Sequence, residues 1–322
     1  MKKELKRKVD LFLQNKKEIK SAFKFESEAN CLLGSYLYTD LDKELDIQKL
    51  KDAHKIVIDK TNFFSDYRFV SIILASKMAM TRNPLKYYNR VNEYREILKK
   101  KKKFDNLVNI FTSLILCDCE ESINADKYID KEIKIFNLMN DKHPFLTDDE
   151  DAPFAMLLAL SDKKENRIDK EVEECYKILS KNIKHAKNAC QSMACVLSIL
   201  DTPVKEKTDK IIDIYNKIKM HKKYVDDSFV LTVLATLIFI DKDNKEIVDD
   251  VLEVDKYIGS KKGTGLWPFG RATRLLFSIL LVESTYGDEV YKDTKNSIAV
   301  SSIIVQEIVT LLLVSNFLLM MD

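Results

Sequence analysis

The sequence predicts an all-α protein, an α-solenoid of about seven helical-hairpin repeats with a period near 40 residues. Three observations carry this expectation. The 322 residues include only 6 glycines and 5 prolines, too few for the turns that sheets require. An apolar run closed by an acidic or polar residue recurs along the chain. Between these runs lie longer segments whose apolar residues keep helical spacing.

The runs are LLGSYLYTD ending at Asp40, ILASKMAMT at Thr81, TSLILCD at Asp118, MLLALSD at Asp162, CVLSILD at Asp201, ATLIFID at Asp241 and FSILLVE at Glu283. Their ends stand 41, 37, 44, 39, 40 and 42 residues apart. Unrelated helices do not keep such a period, whereas an array of one structural unit does. In each unit a short, very apolar helix leads to the stop, a polar loop follows, and a longer amphipathic helix comes next. DKIIDIYNKIKMHKK (209–223) is typical, with Ile211, Ile214, Tyr215 and Ile218 on one face. Asn83-Pro84 and Thr202-Pro203 open two of these longer helices, a capping residue before proline at the first helical position. An aromatic residue recurs in them at Tyr94, Phe136, Tyr176 and Tyr215, at intervals of 42, 40 and 39 residues. Each repeat must bury one face on its neighbour, so these rings are expected in the core rather than in a ligand-stacking ladder.

The chain is expected to form a single domain, 1–322. Residues 1–25 read as a polar N-terminal cap, 26–296 as the helical hairpins, and 297–322 as a hydrophobic C-terminal helix. The first twenty residues are charged throughout and lack the apolar core of a signal peptide, so a cytoplasmic location is expected. The stretch SIAVSSIIVQEIVTLLLVSNFLLMM (297–321) has Glu307 as its one charge and is long enough to span a bilayer. A charge near the bilayer centre costs about 2.5–3.5 kcal/mol. Burial on the preceding repeat, or a homodimer through this helix, is therefore expected, with membrane insertion as the minority alternative.

Lys plus Arg number 53 against 51 Asp plus Glu, a net charge of +2, so nucleic acid is not an expected partner. Basic residues end the long helices, at Lys99–Lys103, Lys184, Lys219, Lys261 and Lys262, and acids open the next helices, at Asp66, Asp105, Asp148–Asp151, Asp226 and Asp227. Both placements suit the helix dipole, and on one edge the two signs interleave. The cysteines (Cys31, Cys117, Cys119, Cys175, Cys190, Cys195) form no CxxC pair and lie in apolar runs. They read as reduced core thiols, and the four histidines show no ligand spacing. No metal, cofactor or catalytic constellation is expected, and an enzyme is the less favoured reading.

HPFLTDDEDAPF (143–154) is the most acidic loop, but its four successive acids do not match the alternating ligands of a calcium loop. A Thr147 helix cap followed by first-turn acids accounts for it. GSKKGTGLWPFGRATR (259–274) is the one irregular connection and carries the only tryptophan. Lys261, Lys262, Trp267, Arg271 and Arg274 are the candidate binding residues, since Trp and Arg are favoured anchors at interfaces.

KTNFFSDYRF (60–69), HPFLTDDED with MLLALSD (143–162) and GLWPFGRATRLLF (265–277) resemble a bacterial family catalogued as a domain of unknown function, over most of the chain. The resemblance implies a bacterial cytosolic helical protein and transfers no site. The expected function is a non-enzymatic scaffold that binds a protein or peptide partner. Two alternatives stand beside it: an α/α-toroid enzyme whose hairpins close around an acidic cleft at Asp148–Asp151, and a tail-anchored membrane adaptor. A toroid brings the first and last hairpins into contact, whereas a solenoid leaves them apart.

Overall fold

A computed structural model describes residues 1–63, 65–102, 107–119, 124–261 and 270–287. Lys262, Trp267 and the expected C-terminal helix 297–322 lie outside the described residues. Long helices alternate with short ones. The long set is α1 (Lys3–Ala22), α3 (Ile47–Lys60), α5 (Pro84–Lys102), α7 (Ala125–Lys142), α9 (Glu165–Asn182), α11 (Val204–Lys219) and α13 (Asn244–Ser260). Between them come α2 (Glu28–Asp40), α4 (Ser71–Ala79), α6 (Leu107–Asp118), α8 (Ala152–Ala159), α10 (Lys187–Ser198), α12 (Ser228–Leu234) and α14 (Gly270–Tyr286). The fold is all-helical, with no strand among the described residues.

The apolar pattern sorts the helices into two layers. In α9 only Ile168, Val172, Cys175 and Leu179 are buried, a single stripe at steps of four, three and four. In α2 every residue from Ala29 to Thr39 is buried, and α4 and α8 are buried throughout. Helices apolar on all sides form the inner layer, and the amphipathic set covers it. Inside, α2 packs on α4, α6 on α8, and α8, α10, α12 and α14 pack in turn, with α14 returning to α2. Outside, each long helix touches the next, and α13 returns to α1.

The two ends of the chain's described part therefore meet. Phe277 of α14 stacks on Phe12 of α1 at 5.1 Å between ring centroids, and Tyr36 of α2 stands edge-on to it at 6.4 Å. Lys2 pairs with Glu246 and, at 3.0 Å, with Asp250; the Met1 amino group lies 2.6 Å from Glu253. Tyr257 Oη donates to Asp10 at 2.7 Å. An open solenoid would leave these helices apart, so the expectation of separated ends is corrected. Leu5, Val9, Phe12 and Ile19 give α1 an apolar stripe, all four fully buried, and make it the outer partner of α2. The tightest pairs are also shifted by one helix from the expected unit: α1, α3, α5, α7, α9 and α13 pack on the apolar helix that follows each of them.

One device recurs where the inner helices end. Lys8 Nζ donates to the Thr39 and Asp40 carbonyls at 3.1 and 3.2 Å, Lys131 to Ser161 at 2.6 Å and Lys210 to Ile240, while Arg90 donates to Cys117. Each cation sits early in an outer helix and satisfies carbonyls that have no intrahelical partner. Their positions, 8, 90, 131 and 210, fall on the sequence period.

Candidate functional site: an aromatic rim

Each outer helix runs antiparallel to the inner helix that follows it, so the outer-to-inner connections all emerge at one end of the molecule. Two contacts tie neighbouring connections together along this rim. Asn30 Nδ2, after the first connection, donates to the Phe69 carbonyl of the second at 2.9 Å. Gln191 Nε2 at the start of α10 donates to Thr147 Oγ1 of the loop before α8 at 2.9 Å.

Large apolar side chains project from this rim into solvent. Phe25 is 104% exposed, Phe145 98%, Phe63 80% and Met220 75%. At the opposite end the corresponding residues are Leu41 and Leu85, each 42% exposed. A single exposed hydrophobe is ordinary; with Phe69, 40% exposed, five stand at this end, four of them aromatic.

The loops hold these side chains outward for local reasons. Before Phe25, the Phe23 ring packs against His54 at 5.0 Å, and Glu26 N–H donates back to the Phe23 carbonyl. The tight turn between them faces Phe25 away from the core. Around Phe145, the N–H groups of Leu146 and Thr147 both donate to the His143 carbonyl. His143 is itself fixed by Glu173, 2.7 Å from its Nε2, and by the Tyr176 ring at 4.6 Å. Met220 follows the last turn of α11, where Lys222 N–H returns to the Ile218 carbonyl.

The acidic loop behaves as a helix start. Asp148 accepts from the Glu150 N–H at 2.9 Å, and Asp148 N–H donates to Asp151 Oδ2 at 3.2 Å, a reciprocal cap. Asp148, Asp149 and Glu150 are exposed, but Asp151 turns inward and is 7% exposed. It faces Gln191 Nε2 at 3.3 Å and the Cys195 thiol from α10, with Asp148 and Glu150 beside it on its own turn. Burial pushes its carboxyl up to about 7, and repulsion from Asp148 and Glu150 adds to the rise against the Asp148 N–H bond. In an unfolded chain it would titrate near 3.9. Folding therefore takes up a proton between about pH 4 and pH 7, and stability falls across that window as pH rises. The loss is expected to approach about 4 kcal/mol at most and to be constant above pH 7. Urea unfolding at pH 4.5 and pH 8 should show a smaller difference for Asp151→Asn than for wild type.

Of the residues expected to bind, Arg274 is engaged inside the protein. Its Nε and Nη2 donate to the two carboxylate oxygens of Asp255 at 2.8 and 3.3 Å, and this bidentate pair keeps the guanidinium charged. Lys222 completes the group from the other side of Asp255, whose side chain is fully buried. A Cβ on Gly259 would stand 3.0 Å from Arg274 Nη1, so glycine is what lets the guanidinium lie against α13. These residues border an open cleft of about 590 Å³ lined by His221, Lys222, Asp255, Lys256, Ser260 and Arg274 among others. Lys261 and Arg271 do not line it: Lys261 lies over the Tyr257 ring at 4.3 Å, and Arg271 is exposed on the first turn of α14. Among the described residues no three His, Cys, Asp or Glu side chains gather in a metal-holding group, and no helix is long and apolar enough to cross a membrane.

The family described as "Protein of unknown function (DUF4003)" matches residues 15–309, most of the chain. The chain belongs to this family. Phe25, Phe63, Phe145 and Met220 all lie within the matched span. No curated protein and no solved structure matches the chain.

The rim was missing from the candidates raised by sequence, although it leaves a trace there. Phe25, Phe63 and Phe145 each stand in a polar connection, 38 and 82 residues apart, close to one and two periods. An aromatic residue in phase but in a polar connection rather than in a helix was the available signal.

Proposed function

We propose that this protein is a non-enzymatic binding ring: seven helical-hairpin repeats closed end to end, which hold a protein or peptide partner on the aromatic rim. The observation that carries the reading is the exposure of Phe25, Phe63 and Phe145 at one end, 104%, 80% and 98%. Keeping three phenyl rings in water costs free energy that a partner's apolar surface would recover, at about 25 cal/mol per Å² covered. The rest of the rim is charged and largely self-paired. Lys102 meets Glu132 at 2.7 Å, Lys219 meets Asp226 at 3.1 Å and Arg95 meets Asp66 at 2.8 Å. The rings therefore stand as apolar anchors in a polar surround, the arrangement in which a few residues dominate binding.

The contact of α1 with α13 and α14 favours a toroid over an open stack, and with it a second reading, an enzyme that uses the acidic loop. In that loop Asp148 and Asp151 cap the helix start and Asp151 faces inward, an arrangement that suits a structural role better. A cytoplasmic location goes with the binding reading.

The test is a triple variant, Phe25→Ser, Phe63→Ser, Phe145→Ser. Each exposed ring should change stability by no more than about 0.5 kcal/mol, so the variant should match wild type in circular dichroism and urea midpoint. Complexes isolated without detergent from the cells that make the protein, and weighed by native mass spectrometry, should then lose the partner. An equally occupied variant would refute the rim as the docking surface.

A further inference from the structure

One concave part of the molecule carries more positive charge than it pairs. The cleft of about 590 Å³ lies where α11 and α13 end and α14 begins. Lys222, Lys256 and Arg274 line it with a single carboxylate, Asp255, so three positive charges less one negative leave +2. His221 lines it as well and offers ring N–H groups. Other cations at this end have acids of their own: Lys219 has Asp226 at 3.1 Å and Arg95 has Asp66 at 2.8 Å.

Asp255 holds two of the three cations in place. It is fully buried, accepts from Arg274 Nε and Nη2 at 2.8 and 3.3 Å, and pairs with Lys222 from the other side. A side chain already held has less rotamer freedom to lose when a ligand arrives. The bidentate pair leaves out Arg274 Nη1, the atom nearest the place that a Cβ on Gly259 would take, and both residues line the cleft. Lys256 and His221 are exposed, and their side chains make no ion pair or hydrogen bond among the described residues.

We propose that this cleft binds a phosphate monoester. Such a group carries about −1.5 to −2 charges at neutral pH and three acceptor oxygens, which suits a surplus of +2 and donors that approach from three segments. A carboxylate brings one charge and two oxygens. Lys256 Nζ and His221 supply donors that nothing else uses, and Arg274 Nη1 adds a charged donor fixed in direction. The volume falls within the range of small-molecule sites, about 300–1,000 Å³, and leaves room for the group that bears the phosphate. The site does not use the exposed rings, so the triple phenylalanine variant should bind phosphate as wild type does.

Isothermal titration calorimetry of the full chain at about pH 7.5, where the phosphate is mainly a dianion, tests it. Inorganic phosphate and glycerol 3-phosphate should bind with a Kd at or below about 1 mM, and acetate about tenfold or more weakly than either. Lys256→Ala removes an exposed side chain without a partner, so its circular dichroism should match wild type. It should weaken phosphate about tenfold, the loss expected for one charge-assisted hydrogen bond. Lys256→Arg should keep the affinity, and Lys170→Ala, an exposed lysine on α9, should leave it unchanged. A phosphoserine peptide forms a separate arm: affinity above that of glycerol 3-phosphate places the phosphate on a protein, and equal or lower affinity places it on a small molecule. Three results would each overturn the proposal: no binding of any phosphate probe, acetate bound as tightly as phosphate, or a Lys256→Ala, His221→Ala double variant that binds phosphate as wild type does.

Discussion

Phe277→Ala is expected to lower the free energy of unfolding by about 3–5 kcal/mol, the range for an aromatic residue removed from a packed core. Phe277 is fully buried and sits where the last helix meets the first two, stacked on Phe12 and edge-on to Tyr36. Its loss leaves a cavity at the one seam that chain connectivity cannot hold shut. The same residue tests the closure itself. Phe12 and Phe277 are 265 positions apart, and in an open array their substitutions would simply add. A double-mutant cycle of Phe12→Leu with Phe277→Leu should instead give a coupling of about 0.5–1.5 kcal/mol, the size found for aromatic pairs in contact. Urea unfolding of the four proteins measures it. A coupling indistinguishable from zero would mean that the ends do not meet in solution.

Asp255→Ala should cost about 3 kcal/mol or more, because it strands two cations around a buried position. The Asp255 side chain is fully buried, while Lys222 and Arg274 keep 20% and 17% of their side-chain exposure. That residual contact with water lets the two cations relieve part of their repulsion, which sets the expected loss at the lower end of the range for broken buried pairs. Asp255→Asn keeps an oxygen for one donor and removes the charge, so it should fall between wild type and alanine. Thermal or urea unfolding at pH 7 and low salt gives the order. An alanine variant as stable as wild type would show that the triad contributes nothing net.

Most of the helical architecture was legible because helices announce themselves locally. Apolar stripes such as Ile211, Ile214, Tyr215 and Ile218, and stops such as Asp118 and Asp201, need only a few neighbouring residues to be read. All four of those stripe residues are buried. The contact of the last helices with the first was not legible, since it depends on small rotations between successive helices that no short pattern encodes. The trace lay in α1, where Leu5, Val9, Phe12 and Ile19 form an apolar stripe, all fully buried. The pairing of helices was misassigned by one because both kinds of connection are short and polar. Arg274 drew attention for its place beside glycines and a tryptophan. Its partner Asp255 lies 19 residues earlier on a different helix, where sequence spacing gives no hint of contact. Asp151 was read with its three acidic neighbours as first-turn acids behind a Thr147 cap. Only the three-dimensional turn separates it from them and sends it inward. Phe25 and Phe145 looked like ordinary loop residues, and exposure is a property that composition does not report.

Binding at the rim is tested most directly by photo-crosslinking in the cells that make the protein. A benzophenone amino acid would replace Phe25, Phe63 or Phe145 in turn, and, as controls at the opposite end, Leu41 or Leu85. Irradiation should join the three rim positions to one common partner protein and leave the two controls uncoupled. Crosslinks to the same partner from Leu41 and Leu85, or no adduct at any rim position, would contradict the account.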